Sequence, residues 1–97
     1  MSKTAVVILN WNGKSFLEKF LKEVVDNTTA PDTEVIVADN NSTDGSVDFL
    51  SHSFPTVRVI KLDENYGYAG GYNRALSQIP ADYYILLNSD VSVGKLD

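Results

Sequence analysis

The stretch Thr4-Ala5-Val6-Val7-Ile8-Leu9-Asn10-Trp11-Asn12-Gly13 is apolar from Ala5 to Leu9 and then breaks abruptly into amides and a glycine. A short, nearly continuous run rich in β-branched residues, without polar alternation, reads as a strand covered on both faces, as in a parallel sheet. Three more runs have the same character: Glu34 to Ala38, Val57 to Leu62, and Tyr83 to Leu87. Between the first two, Phe16, Leu17, Phe20, Leu21, Val24 and Val25 recur at helical spacing with Lys and Glu on the opposite face. Ser42-Thr43-Asp44-Gly45 offers helix-capping chemistry ahead of Val47, Phe49 and Leu50, with Asp44, Thr43 or Ser42 as the cap. A third helix is expected over Gly70 to Gln78, ending before Pro80. Asn27 to Asp32 and Ser53 to Thr56 read as loops. The order strand, helix, strand, helix, strand, helix, strand predicts an α/β fold: an open, mainly parallel Rossmann-like sheet of about four strands, flanked by helices through right-handed crossovers.

The 97 residues suffice for one small domain, which buries only a modest share of its surface. The chain has no cysteine, which removes disulfides and thiolate metal sites. The apolar run near the N-terminus is far too short to span a membrane and carries no signal-peptide cleavage pattern, so the expected location is cytoplasmic. With a net charge of -5 and eight Lys and Arg residues that form no stripe, nucleic acid is not an expected partner. An anionic ligand remains compatible with an acidic chain if a divalent cation lies between them.

In open α/β sheets ligands bind beyond the carboxyl ends of the strands. Here those ends are Asn10-Trp11-Asn12-Gly13, Asp39-Asn40-Asn41-Ser42, Asp63-Glu64-Asn65 and Asn88-Ser89-Asp90. One polar cluster describes any loop, but four on one edge describe a site. Asp39 reads either as an acceptor for a nucleobase or as a turn residue bonded to its own backbone. The glycines of Asn65-Tyr66-Gly67-Tyr68-Ala69-Gly70-Gly71-Tyr72-Asn73-Arg74 would let backbone approach a phosphate or ribose near a helix start, or let a helix pack closely on the sheet. Asp90, following a buried run, is a hard-oxygen donor suited to Mg²⁺ or Mn²⁺, or else a turn residue. His52 has no second ligand at metal-binding spacing and reads as a surface or packing residue. Trp11 and the tyrosines read as packing or cleft-lining residues.

Together these segments resemble the family 2 glycosyltransferases of the GT-A fold. The resemblance rests on Val6 to Gly13, Val37-Ala38-Asp39-Asn40-Asn41-Ser42-Thr43-Asp44-Gly45-Ser46, Asn65 to Asn73, and Leu86-Leu87-Asn88-Ser89-Asp90-Val91, in order and register along the whole chain. The wording looks like the branch of rhamnosyl-, other deoxysugar or galactofuranosyl transferases of bacterial surface polysaccharides. The resemblance implies a nucleotide-diphosphate sugar donor, UDP- or dTDP-linked, and inverting transfer to a polysaccharide or lipid-linked acceptor. It implies that Leu9, Asn10, Asn12, Asp39 and Asn41 hold base and ribose, and that Gly70, Gly71 and Asn73 lie against the nucleotide. Asn88, Ser89 and Asp90 take the place of the D-x-D motif, with Asp90 as the metal ligand for Mg²⁺ or Mn²⁺. Asn88 stands where that motif has its first aspartate, which lowers the expected metal affinity.

The family's general base and acceptor-binding half lie downstream of the metal motif, and no residue here fits the base. Residues 1–97 are therefore expected to be the N-terminal nucleotide-binding part of a GT-A domain, inactive alone, the full-length protein working in the cytoplasm at the inner face of the membrane. A half-domain of this kind should also expose apolar surface and self-associate. The alternatives are a non-catalytic nucleotide-binding module or a self-associating α/β module. A nucleotidyltransferase fits less well, because Asn10-Trp11-Asn12-Gly13-Lys14 lacks the Gly-rich, basic loop of that class.

Overall fold

The computed structural model describes residues 2–89. They form β1 (Thr4–Asn10), α1 (Lys14–Asp26), β2 (Thr33–Asp39), α2 (Ser46–Ser53), β3 (Arg58–Lys61), α3 (Gly67–Leu76) and β4 (Tyr83–Asn88). The four strands are parallel in the order β3-β2-β1-β4. β1 lies inside the sheet, and Asn10 is opposite Asp39 while Leu9 is opposite Asn88. All strands run the same way, so the three ends after β1, β2 and β4 meet at one edge.

Side-chain parity divides the core in two. Ala5, Val7, Leu9, Ile36, Ala38, Ile60 and Leu62 face Ala75 and Ile79, on and just beyond α3. Ile8 and Val37 point the other way and pack on Leu17 and Leu21 of α1 and Leu50 of α2. The expected continuous apolar runs follow from this, because a central parallel strand needs both of its faces covered.

Two expectations are corrected. α3 begins at Gly67, so Gly70 and Gly71 lie a turn inside it rather than at its start. Local chemistry sets the earlier start: Asn65 Oδ1 accepts the Gly67 N–H, and Asn40 Oδ1 accepts the Tyr66 N–H. Gly67 itself holds φ +73° at the turn, a left-handed conformation natural to glycine. The second correction concerns β4, which among the described residues pairs only with β1 and lies at the sheet edge. Tyr83, Tyr84, Ile85 and Leu86 are 63%, 38%, 51% and 45% exposed, not covered on both faces. The apolar surface expected of this chain is therefore present, and it is concentrated on that strand.

Candidate functional site at the carboxyl edge of the sheet

The floor of the edge is a buried hydrogen-bond network. Asn10 is fully buried and donates from Nδ2 to Asp39 Oδ1 at 2.9 Å and to Ser42 Oγ at 3.2 Å. Its Oδ1 accepts the Ser89 hydroxyl at 2.6 Å. Only one orientation of the amide satisfies both sides, since the flipped one would set its carbonyl against the carboxylate. Asp39, 2% exposed, also accepts the Ser42 hydroxyl at 2.7 Å and the Ser42 N–H at 2.9 Å. Ser42 Oγ in turn accepts the Asn12 N–H at 2.8 Å, and Asn12 Oδ1 accepts the Thr43 N–H at 2.7 Å. Asn12 and Asn41 hold φ of 52° and 65°, the left-handed region that asparagine tolerates better than most residues.

Asp44 ties two helices to this floor. Its Oδ2 accepts the N–H of Lys14, the first residue of α1, and its Oδ1 accepts the N–H and hydroxyl of Ser46, the first of α2. Of the three capping candidates Asp44 is the one that meets the helix, although Gly45 in the left-handed region intervenes between it and Ser46. Desolvation pushes the Asp44 carboxyl up, but the hydrogen bonds from Ser46 and the Lys14 N–H outweigh it and hold the group below its ordinary 3.8.

Asn40, absent from the sequence-derived set, braces the other side of the edge. It is 2% exposed, accepts the Tyr66 N–H and donates to the Gly67 carbonyl at 3.1 Å. Its sequence signal was only that of one more amide in a polar cluster. Beside it opens a cleft of about 200 Å³ lined by Leu9, Trp11, Asn40, Asn65, Gly67 and Tyr68. Trp11 and Tyr68 are 47% and 55% exposed there. Asp39 lines an adjacent polar recess of about 320 Å³, together with Asn41, Ser42, Thr43, Asp48 and Lys61 among others.

The remaining sequence-derived residues divide by burial. Leu9 is in the core and also borders the cleft. Gly71 packs inward, where a Cβ would lie 2.9 Å from Leu9 Cδ1, the close helix–sheet packing its sequence allowed. At Gly70 a Cβ would meet Tyr66 Cβ at 3.0 Å, and Asn73 is exposed on α3. Asn88 Oδ1 lies 2.6 Å from the Tyr72 hydroxyl, and Ser89 is 3% exposed. Asp90, the proposed metal ligand, lies outside the described residues. His52 is exposed, its ring nitrogen on the Asp48 carbonyl of its own helix.

Among the described residues no group of three or more His, Cys, Asp or Glu converges. At the end of β4 the Asn88 amide oxygen accepts the Tyr72 hydroxyl and the buried Ser89 hydroxyl donates to Asn10, and neither group carries charge. No helix among these residues is long and apolar enough to cross a membrane.

In an open parallel α/β sheet, polar loops gathered at the carboxyl edge mark the place where ligands bind. Residues 5–95 match the model of glycosyl transferase family 2, and the chain belongs to that family. It is 31% identical over 100 residues to the N-acetylglucosaminyl-diphospho-decaprenol L-rhamnosyltransferase of Mycobacterium tuberculosis, covering 92% of this chain and 32% of that protein. It is 34% identical over 96 residues to the uncharacterized glycosyltransferase YfnE of Bacillus subtilis, covering 96% of this chain and 24% of that one. The chain thus spans about a third or less of the length of these relatives. Among solved structures it shares its fold with a Pyrobaculum calidifontis mannosyltransferase in complex with GDP-Man and Mn²⁺, at TM-score 0.76, 23% identity, and coverage of 92% of this chain and 28% of that one. Residues 1–349 of Staphylococcus aureus TarS in complex with UDP-GlcNAc give TM-score 0.76 at 24% identity, covering 91% and 26% of the two chains.

Proposed function

We propose that residues 1–97 form the donor-binding part of an inverting glycosyltransferase that takes a UDP- or dTDP-sugar and serves a polysaccharide or lipid-linked acceptor. The observation that carries this reading is the cleft at the carboxyl edge, where two exposed aromatic rings, Trp11 and Tyr68, stand beside the amides of Asn40 and Asn65. Flat aromatic faces accept a nucleobase by stacking, and amides read its edge by hydrogen bonds. The recess lined by Asn41 and Thr43, with the buried Asp39 bonded to Asn10 and Ser42 behind them, offers polar groups for ribose or base. Membership of the family, the resemblance to a rhamnosyltransferase and the nucleotide sugars bound by structural neighbours support the same assignment.

Asp90, which follows Asn88 and Ser89 in sequence, is the residue we assign to Mg²⁺ or Mn²⁺; when bound, the cation would neutralise charge on the diphosphate leaving group. The chain's own residues hold the base, fix the loops that surround it and keep water from beneath it. The acceptor hydroxyl and its general base belong to sequence outside the residues assigned here.

Calorimetric titration with UDP and with dTDP, with and without Mn²⁺, tests the proposal. Binding is expected, with Trp11→Ala weakening it at least about tenfold, as loss of a stacked base does. Asp90→Ala should remove the Mn²⁺ dependence. No binding of either nucleotide to the wild type, under any condition, would overturn a donor site in this chain.

A further inference from the structure

We infer that Asn10 is a positioning residue that sets the end of β4 against the loops of the nucleotide cleft, so that the diphosphate side and the base side of the site share one register. It rests on the donor-site reading above for its functional meaning, though not for its geometry. Three loops meet at this edge, after β1, β2 and β4, and the Asn10 side chain bonds to two of them while its backbone begins the third. Its donor end takes Asp39 and Ser42; its acceptor end takes Ser89, the residue before Asp90.

Asn10 is fully buried, and Asp39 and Ser89 are 2% and 3% exposed, so these groups address one another before they address any ligand. From Asp39 the connection continues outward through Ser42 to the Asn12 N–H, and Asn12 follows Trp11 directly. A chain of bonds therefore runs from the end of β4 to the peptide beside the exposed indole. Gly13 makes room for it: a Cβ there would lie 2.6 Å from Asn10 Oδ1 and still closer to Ser89 Oγ. An amide suits this place because it presents a donor and an acceptor on opposite sides. A carboxylate would repel Asp39, and an apolar side chain would take the acceptor from the buried Ser89 hydroxyl and one donor each from Asp39 and Ser42.

The test uses ¹⁵N-labelled protein and removes the Ser89 hydroxyl, the far end of the chain. In Ser89→Ala the amide resonances of Ser42 and Asn12 should shift, while those of Arg58 and Val59 on the far strand stay in place. In an Asn10→Ala background that folds, the same substitution should leave Ser42 and Asn12 unmoved. Should Asn10→Ala not fold, Asp39→Asn provides the second arm, shifting the Ser89 amide from the opposite end. UDP affinity gives the functional readout: Ser89→Ala should weaken it between about threefold and tenfold, the worth of one hydrogen bond. Leu21→Val, a core substitution remote from the edge, should lower stability and leave UDP affinity unchanged. Shifts confined to the immediate neighbours of the substituted residue, in either arm, would overturn the inference. Shifts that reach Ser42 and Asn12 in a protein that binds no UDP would uphold the positioning role and defeat the donor-site reading.

Discussion

A Cβ at Gly71 would lie 2.9 Å from Leu9 Cδ1 and 3.0 Å from Asn40 Nδ2. Both neighbours are buried and neither can retreat, Leu9 because the core surrounds it and Asn40 because it holds Tyr66 and Gly67. Gly71→Ala gains up to about 1 kcal/mol of helix propensity but meets an overpacking cost of roughly 1–3 kcal/mol. Net destabilisation is expected in urea unfolding, and a variant as stable as wild type would show that α3 can lift from the sheet. Asp44 makes a different prediction at the same scale. Its carboxyl titrates below its ordinary 3.8 in the folded protein, so its contribution is complete above that value and disappears as pH falls through the lower folded value. Asp44→Ala should cost on the order of 1 kcal/mol at neutral pH, the worth of a helix cap. The gap from wild type should close below pH 3.8 in a series of urea curves. A gap independent of pH would mean that the caps do not depend on the charge.

Among the elements, β4 differs from its neighbours. The segment Tyr83–Asn88 carries no charged residue, pairs on one side only among the described residues and keeps four large apolar side chains exposed. An uncharged open edge of this sort pairs readily with another strand. Sedimentation at rising concentration should show reversible association. Leu86→Lys, at a position already 45% exposed, should suppress it while changing stability by no more than about 0.5 kcal/mol. A wild type that stays monomeric throughout would remove β4 as an associating edge. α1 illustrates the opposite case: Leu17 and Leu21 are fully buried, so the stripe read from helical spacing is the stripe that packs.

At the scale of the molecule, the radius of gyration of 12.8 Å is close to the value of about 13 Å usual for a compact chain of 100 residues. The two cores on either face of the sheet are small, so the reserve of stability is modest. Ligand linkage should therefore be easy to see. UDP at about one hundred times its dissociation constant adds roughly 2.7 kcal/mol, enough to raise Tm by roughly 10 °C or more in a domain of this size. Absence of any shift at saturating UDP, by scanning calorimetry, would argue that the cleft is not a nucleotide site.

The sequence by itself determined the order of elements, the parallel sheet and the edge where chemistry gathers. Those follow from the period of the apolar residues and from breaks such as Asn10-Trp11-Asn12-Gly13, which are local properties of the chain. The family, too, was legible from four motifs in register. Tertiary structure alone decided how the site residues divide. Asn10, Asp39 and Ser89 look like equally available polar groups in sequence, yet burial turns them toward one another. Asn40 becomes the brace of α3, and Trp11 and Tyr68 come to face a common cleft. The coverage of β4 was beyond the sequence for a similar reason: which side of an element is covered depends on what packs there, and pairing at a sheet edge is a contact between residues far apart in the chain.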